Sequence, residues 1–396
     1  MCAGLAAVAA QQAVVHAGSP SGTLFSGTYS NAAGSRYYMG YVPSGYTPGT
    51  PVPLVISLHG CTETADVMRQ LTQMDSLADQ KKFIVVYPQQ DQSDNQLTCW
   101  NWFVNQDMQR GSGEASIIAG ITQWAESHYA IDSNRVYLMG FSAGGAMADV
   151  MAATYPDLYA AIGIGSGLAY GGINPSLAGS DSGQQAYAAI GTHARVMPVV
   201  LFQGGQDTTV PPSNATRLVQ QWQTTDNLVR PGSVPTSPTQ TRNGQSAGGQ
   251  AYTVTEYDDA HGVPVLQSWL IPSMSHAWSG GCSCEQYSDP SGPDATSAIY
   301  DFFVNHPLAG PSSTPPGQPT PTAQPTPSGQ PTPTGQPTPT AQPTPTAQPT
   351  PPSLPTPPSL PTPPSLPIPP GITSLPWLQS LLDLLQNILR QISSLF

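Results

Sequence analysis

Residues 136–151 read VYLMGFSAGGAMADVM, in which an apolar run leads into a Gly-x-Ser-x-Gly pentapeptide and a helix-compatible run follows. A strand, a tight turn and a helix in this order are what a nucleophile elbow requires. Gly140 and Gly144 suit such a turn because a Cβ at either position would clash where the two backbones pack closely. The helix would also point its first N–H groups at an oxyanion formed beside Ser142. The stretch therefore predicts a nucleophilic Ser142 rather than a serine in an ordinary glycine-rich turn.

A nucleophilic serine needs a base and an acid that orients this base. In α/β-hydrolases the chain order is Ser, then Asp or Glu, then His. The apolar run 199–202 leads into a loop that carries Asp207, and the run 265–271 leads into a loop that carries His276. We therefore expect Ser142, Asp207 and His276 to follow three strands and to form a catalytic triad.

Other acids and histidines fit this pattern less well. Two adjacent aspartates precede the last predicted strand instead of following one, and one histidine shares their connection. The remaining histidines lie in helix-like or loop segments without a strand before them. These weaker candidates are Asp258, Asp259, His128, His193, His261 and His306.

An oxyanion hole needs two N–H groups. One usually belongs to the residue after the nucleophile, here Ala143, and the other to the loop after an early strand. The run 54–58 is apolar and predicts that strand, and His59-Gly60-Cys61-Thr62 follows it. We expect Cys61 to supply the second N–H group and His59 to be structural.

Several motifs together resemble the esterase family of polyhydroxybutyrate depolymerases, which also includes many feruloyl and acetyl-xylan esterases. They are LHGCT (58–62), CWNWF (99–103), QRGSGE (109–114), GFSAGG (140–145) and GPDAT (292–296). The resemblance runs from about Ser35 to Pro307. It implies an α/β-hydrolase fold, with a mostly parallel central sheet flanked by helices, and the triad and oxyanion residues named above.

The resemblance also implies features of the cleft. Cys61 and Cys99 recur as a pair in the family, so we predict a disulfide between them. It would tie the loop 59–62, here called the oxyanion loop, to the loop of Trp100. A tryptophan near the second cysteine lines the cleft in such enzymes, which points to Trp100 or Trp102. Trp278, beside His276, is a further candidate for substrate binding.

Composition narrows the class of protein. The chain carries a net charge of −12 and only 9% charged residues. So few Lys and Arg argue against a nucleic-acid partner. Among the five cysteines, Cys282 and Cys284 are separated by a single residue. They could bridge each other, stay reduced or bind metal weakly, but their surroundings lack zinc-site spacing. We expect neither a metal nor an organic cofactor.

The chain divides into four predicted segments. Residues 1–17 look like a partial export signal that lacks a positive start, and residues 18–307 form the esterase domain. Residues 308–370 are rich in Pro and Thr, with Gln at every sixth position from Gln318 to Gln348. Such a linker favours extended polyproline II and cannot bury a core. We interpret it as a spacer between catalyst and anchor.

Residues 371–396 regain hydrophobicity, with apolar side chains at helical spacing from Trp377 to Phe396. We predict an amphipathic helix that adsorbs to a polymer, lipid or cell surface or self-associates, the alternative being that it docks on the esterase domain.

The sequence therefore predicts a monomeric serine esterase that is secreted. After secretion the protein is either free or associated with the cell surface. A polyhydroxybutyrate-type polyester ranks first as substrate, and feruloyl or acetyl esters of plant polysaccharide rank second. A surface adhesion protein whose hydrolase domain only binds is the third hypothesis.

Overall fold

The fold is described from a computed structural model, which covers residues 20–171 and 181–308. Of the predicted segments, the export signal (1–17) and the tail (371–396) lie outside these residues, as does the linker from residue 309 onward. None of the described helices is long and apolar enough to cross a membrane.

Strands and helices alternate through most of the described chain. The strands are β1 (Thr23–Asn31), β2 (Gly34–Val42), β3 (Val52–Leu58), β4 (Ile84–Pro88), β5 (Ile131–Phe141), β6 (Ile162–Gly165), β7 (Val199–Gly204), β8 (Gln240–Gln245), β9 (Ala251–Asp258), β10 (Pro264–Ile271), β11 (Trp278–Ser279) and β12 (Ser288–Asp289). The helices are α1 (Ala65–Thr72), α2 (Met74–Lys81), α3 (Gly113–His128), α4 (Ala143–Thr154), α5 (Ser182–Ile190), α6 (Ser213–Val229) and α7 (Ala295–Val304), with 3₁₀ turns at Asn105–Met108 and Gly191–His193.

Ten of the described strands form one mixed sheet in the order β1-β2-β4-β3-β5-β6-β7-β10-β9-β8. The six central strands from β4 to β10 run parallel, and the two strands at each edge add antiparallel. In a parallel sheet the carboxyl ends of the strands meet at one edge, where ligand sites form. The loops after β3, β5, β7 and β10 therefore lie at the same edge.

Helices cover both faces of this sheet, which explains why β3 and β4 are buried along their whole length. One core cluster contains Leu54 and Ile56 of β3 together with apolar residues of α3, α4 and α6. The other contains Val55 together with apolar residues of α1, α2 and α7. Alternate side chains of one strand thus enter opposite cores, as the two-residue period of a strand requires.

Helix α4, which carries the predicted oxyanion residue Ala143 at its start, is buried at every position. Its Asp149 accepts hydrogen bonds from Gln221 Nε2 at 2.8 Å and from Trp222 Nε1 at 2.8 Å, both on α6. Burial raises the pKa of Asp149 to about 7. This contact ties α4 to α6 and so fixes the helix behind the elbow.

Candidate active site

Ser142 lies in a sharp turn between β5 and α4. It is a non-glycine residue with φ 54° and ψ −118°, and its N–H donates to Gly165 O at 2.8 Å. Such a backbone conformation costs energy and persists where the surrounding structure enforces it. The sequence predicted a helix-compatible run from Gly145, but the helix begins two residues earlier, at Ala143. Ser142 is therefore the single residue between the strand and the helix.

The two glycines of the pentapeptide make this turn possible. A Cβ on Gly140 would overlap the carbonyl group of Gly144, and a Cβ on Gly144 would overlap the backbone oxygens of Leu58 and His59. Strand β5, the start of α4 and the end of β3 thus touch through their backbones. The close approach brings the loop after β3 against the elbow.

The three predicted triad residues form one chain of hydrogen bonds. His276 Nε2 lies 2.9 Å from Ser142 Oγ, and His276 Nδ1 lies 2.7 Å from Asp207 Oδ2. The side chain of His276 is 7% exposed and that of Asp207 is fully buried. With Nδ1–H donating to Asp207 Oδ2, Nε2 is left free to accept the hydroxyl proton of Ser142.

Asp207 is itself held in place by its own loop. Its Oδ1 accepts from the N–H groups of Thr209 at 2.9 Å and Val210 at 2.8 Å, and Gln203 Nε2 lies 3.3 Å from Oδ2. These donors stabilise a carboxylate and leave one lone pair of Oδ2 directed at His276. The local turn thus determines the orientation of the imidazole.

The two predicted oxyanion residues face the same cleft. Cys61 and Ala143 both line it, next to Ser142. Among the hydrogen bonds of the described residues, neither backbone N–H donates to another protein group. Two free N–H groups at the nucleophile are what an oxyanion requires, although the catalytic role of this pair stays a prediction.

An open cleft of about 510 Å³ surrounds these groups. Its wall combines the oxyanion loop, the elbow and the loops that carry Asp207 and His276. The lining residues are Gly60, Cys61, Thr62, Glu63, Trp102, Phe141, Ser142, Ala143, Leu168, Thr209, Val210, His276 and Tyr287.

The tryptophans predicted to bind substrate do not all reach this cleft. Trp102 lines it, but Trp100 is fully buried and packs against His59, with ring centroids 5.6 Å apart. Trp278 is 1% exposed, and its Nε1 donates to Thr296 Oγ1 at 3.0 Å. The expectation that Trp100 and Trp278 touch substrate is corrected, because both fill the core behind the cleft wall.

Tyr287 and Glu63 are among the wall residues that the sequence did not indicate. Tyr287 belongs to the irregular segment between β11 and β12, where no strand or helix pattern marks it. Glu63 comes one position after the oxyanion loop that the sequence indicated, and nothing in its sequence surroundings distinguishes it from a surface acid. Both side chains line the cleft.

His59 has a structural environment, as expected. It is fully buried, its Nδ1 lies 2.7 Å from Gly60 O, and its Nε2 lies 3.0 Å from Gln90 N. Burial lowers its pKa to about 4, so the ring is neutral. A neutral ring with Nδ1–H donating to Gly60 O and Nε2 accepting from Gln90 N satisfies both contacts.

The predicted Cys61–Cys99 disulfide is present in the structure. Near it, Thr62 N donates to Leu97 O at 2.6 Å, and Thr98 Oγ1 donates to Glu63 O at 3.2 Å. The oxyanion loop is therefore joined covalently and by hydrogen bonds to the segment that precedes Trp102. Cys282 and Cys284, whose state the sequence left open, form a second disulfide. Within the described ranges, no cluster of three or more His, Cys, Asp or Glu side chains could hold a metal ion.

We expect loss of the Cys61–Cys99 bridge to cost about 4 kcal/mol of unfolding free energy, because it closes a loop across 38 residues. The Cys282–Cys284 bridge spans a separation of 2 residues and should contribute about 1–2 kcal/mol. Urea unfolding of the double variants Cys61→Ala/Cys99→Ala and Cys282→Ala/Cys284→Ala compares them directly. Equal destabilisation by the two pairs would contradict the loop-length argument.

The sheet order, the elbow and the loops after β5, β7 and β10 define an α/β-hydrolase. The fold is similar to that of an acetyl xylan esterase from Aspergillus awamori, with a TM-score of 0.57 and 22% identity over 72% of this chain and 99% of that one. The chain belongs to the esterase family of polyhydroxybutyrate depolymerases, because the family model described as "Esterase PHB depolymerase" matches residues 36–240. His276 lies beyond the matched residues, so its assignment depends on the geometry.

Curated relatives include both kinds of esterase. Poly(3-hydroxyalkanoate) depolymerase C of Paucimonas lemoignei is 33% identical over 251 residues, which are 60% of this chain and 57% of that protein. Acetylxylan esterase A of Talaromyces purpureogenus is 31% identical over 214 residues, which are 48% of this chain and 54% of that protein. The chain thus spans little more than half the length of these relatives.

Proposed function

We propose that this protein is a serine esterase that cleaves carboxylic esters through an acyl-enzyme intermediate. The observation that carries the proposal is the hydrogen-bonded series Ser142–His276–Asp207. It opens onto a cleft lined by Cys61 and Ala143, whose N–H groups donate to no other group among the described residues. Neighbouring nucleophile, base and orienting acid are the parts that acyl transfer requires.

In the first half of the reaction, Ser142 Oγ attacks the ester carbonyl carbon and its proton moves to His276 Nε2. The negative oxygen of the tetrahedral intermediate accepts hydrogen bonds from Cys61 N–H and Ala143 N–H, worth roughly 3 kcal/mol per donor. The C–O bond then breaks, and His276 returns the proton to the leaving alkoxide. Asp207 keeps the imidazole oriented and stabilises its protonated form.

In the second half, water occupies the place of the departed alcohol. His276 takes a proton from this water as it attacks the acyl-enzyme, and a second tetrahedral intermediate forms in the same oxyanion site. Its collapse breaks the bond to Ser142 Oγ, which regains the proton. The products are one carboxylic acid and one alcohol, and the enzyme is regenerated.

The preferred substrate we propose is a polyhydroxybutyrate-type polyester. The similarity to a poly(3-hydroxyalkanoate) depolymerase supports this choice of substrate. The predicted spacer and adsorbing tail also support it, because they suit an insoluble polymer. Acetyl or feruloyl esters of plant polysaccharide are the second candidate, supported by the acetylxylan esterase relatives and by a feruloyl esterase B that is 37% identical over 145 residues. Two disulfides support secretion, because such bonds persist in oxidising compartments.

Hydrolysis of three substrates tests this ranking: a polyhydroxybutyrate film, methyl ferulate and acetylated xylan. We expect the purified protein to release hydroxybutyrate from the film, and a variant without residues 371–396 to erode the film less while cleaving soluble esters equally well. Ser142→Ala gives the background rate in each assay. Release of ferulate or acetate without film erosion would transfer the proposal to the second candidate, and equal erosion by the truncated variant would remove the role of the tail.

A further inference from the structure

Glu63 is a buried acid in the cleft wall that the mechanism above does not use. Its side chain is 3% exposed, and its Oε2 accepts a hydrogen bond from Gly60 N at 2.7 Å. Gly60 directly precedes Cys61, the proposed oxyanion donor. The carboxyl group therefore holds the peptide unit next to the one that would present the Cys61 N–H group.

No cation in the described part of the chain forms an ion pair with this carboxyl group. Its Oε1 is buried and has no hydrogen-bond partner among the described residues, and none of the ion pairs within 20–171 and 181–308 includes Glu63. The titratable groups around it are Glu285 and Tyr287, from the segment between β11 and β12, and His276 across the same cleft. A negative charge on Glu63 would face another acid and would have a single backbone donor.

This environment favours the protonated, neutral form of the Glu63 carboxyl group. Burial raises the pKa of Glu63 to about 7, against the opposing effect of the hydrogen bond from Gly60 N–H and with a smaller contribution from the charge of Glu285. A neutral carboxyl group can keep its carbonyl oxygen on Gly60 N–H. The loop would thus keep its shape in the protonated state without a buried charge.

The charge of Glu63 matters because the site must also stabilise the negative charge of the oxyanion. A methyl group placed on Gly60 would lie 3.1 Å from Glu63 Oε2 and 3.2 Å from Ser142 Cβ, so the carboxyl group and the nucleophile flank the same glycine. The oxyanion would form beside Ser142. An ionised Glu63 would repel it through a water-poor wall, where charge–charge interactions are stronger than in water.

We propose that Glu63 is a positioning residue that works as a neutral acid: it fixes the oxyanion loop through Gly60 while adding no charge beside the developing oxyanion. This inference rests on the proposed esterase function. It makes esterase activity decline at alkaline pH, as Glu63 ionises.

The test is the pH dependence of kcat/KM for a soluble p-nitrophenyl ester, with Ser142→Ala as background. Wild type should lose activity above about pH 7, by roughly tenfold at full ionisation. Glu63→Gln keeps the acceptor for Gly60 N–H but cannot ionise, so its kcat/KM should stay level from pH 6 to alkaline pH, whatever its absolute value. If Glu63 had only a structural role, Glu63→Gln would show the same alkaline decline as wild type.

Parallel profiles for wild type and Glu63→Gln would overturn the inference and leave the esterase proposal intact, whereas full activity of Ser142→Ala would overturn the esterase proposal itself. Glu285→Gln provides a second readout that does not depend on the folding of Glu63→Gln. Because the charge of Glu285 raises the pKa of Glu63, its removal should move the alkaline decline to lower pH. An unmoved decline would also count against the inference.

Discussion

Ser142→Ala is expected to lower kcat/KM for a soluble ester by roughly 10⁴-fold or more, because no other group can form the acyl-enzyme. His276 and Asp207 would remain in place but would have no hydroxyl group to activate. The fold should persist, since alanine replaces serine without added volume at the same backbone angles. Steady-state kinetics and the melting temperature of the variant measure the two expectations separately.

Ser57→Ala is the matched control. Ser57 is buried in β3, its hydroxyl has no partner among the described residues, and it is not part of the cleft wall. This variant should keep kcat/KM within about twofold of wild type, as is usual for a small change outside the site. A fluorophosphonate probe should label wild type and Ser57→Ala but not Ser142→Ala. An unlabelled wild type would instead favour the hypothesis of a non-catalytic adhesion protein.

Asp207→Asn should reduce kcat/KM by about 10³–10⁴-fold. The amide keeps the volume of the carboxyl group, but it carries no negative charge for the imidazolium and can place an N–H₂ group against His276 Nδ1. The imidazole would then favour the tautomer with its proton on Nε2, which cannot accept the proton of Ser142. The rate with a soluble ester at neutral pH measures the loss.

Asp259→Asn tests whether this role belongs to Asp207 or to another acid. Asp259 was a weaker candidate for the triad, and in the structure its Oδ1 accepts hydrogen bonds from the N–H groups of His261 and Val263 in an exposed turn. An asparagine can accept both bonds, so activity should change by less than about twofold. A large loss in Asp259→Asn with little loss in Asp207→Asn would reassign the acid.

The positions of the triad residues could be predicted because they depend on strand order. Ser142, Asp207 and His276 each follow a hydrophobic run, and parallel strands bring their carboxyl ends to one edge whatever lies between them in the chain. The Gly-x-Ser-x-Gly turn could be recognised for a similar reason, since its glycines serve backbone contacts that leave no room for a Cβ.

The cleft wall could not be predicted equally well. Whether Trp100 or Trp102 faces the cleft depends on how their irregular loop packs, and the two-residue spacing does not decide it because no strand fixes their alternation. Tyr287 reaches the cleft from a loop with no periodic pattern. Glu63 looks like an ordinary surface acid in the sequence, and its significance comes from burial, which only the tertiary structure reveals.

The Cys61–Cys99 bridge makes the covalent support of the oxyanion loop depend on an oxidising environment. Cytosolic thiol buffers keep cysteines reduced, whereas exported proteins meet an oxidant outside. A chain in a reducing compartment would therefore carry an oxyanion loop without its covalent tie to the segment that precedes Trp102. If the chain is exported as proposed, oxidation outside the cell would complete this tie, and esters inside the cell would meet a protein whose oxyanion loop is not yet covalently held.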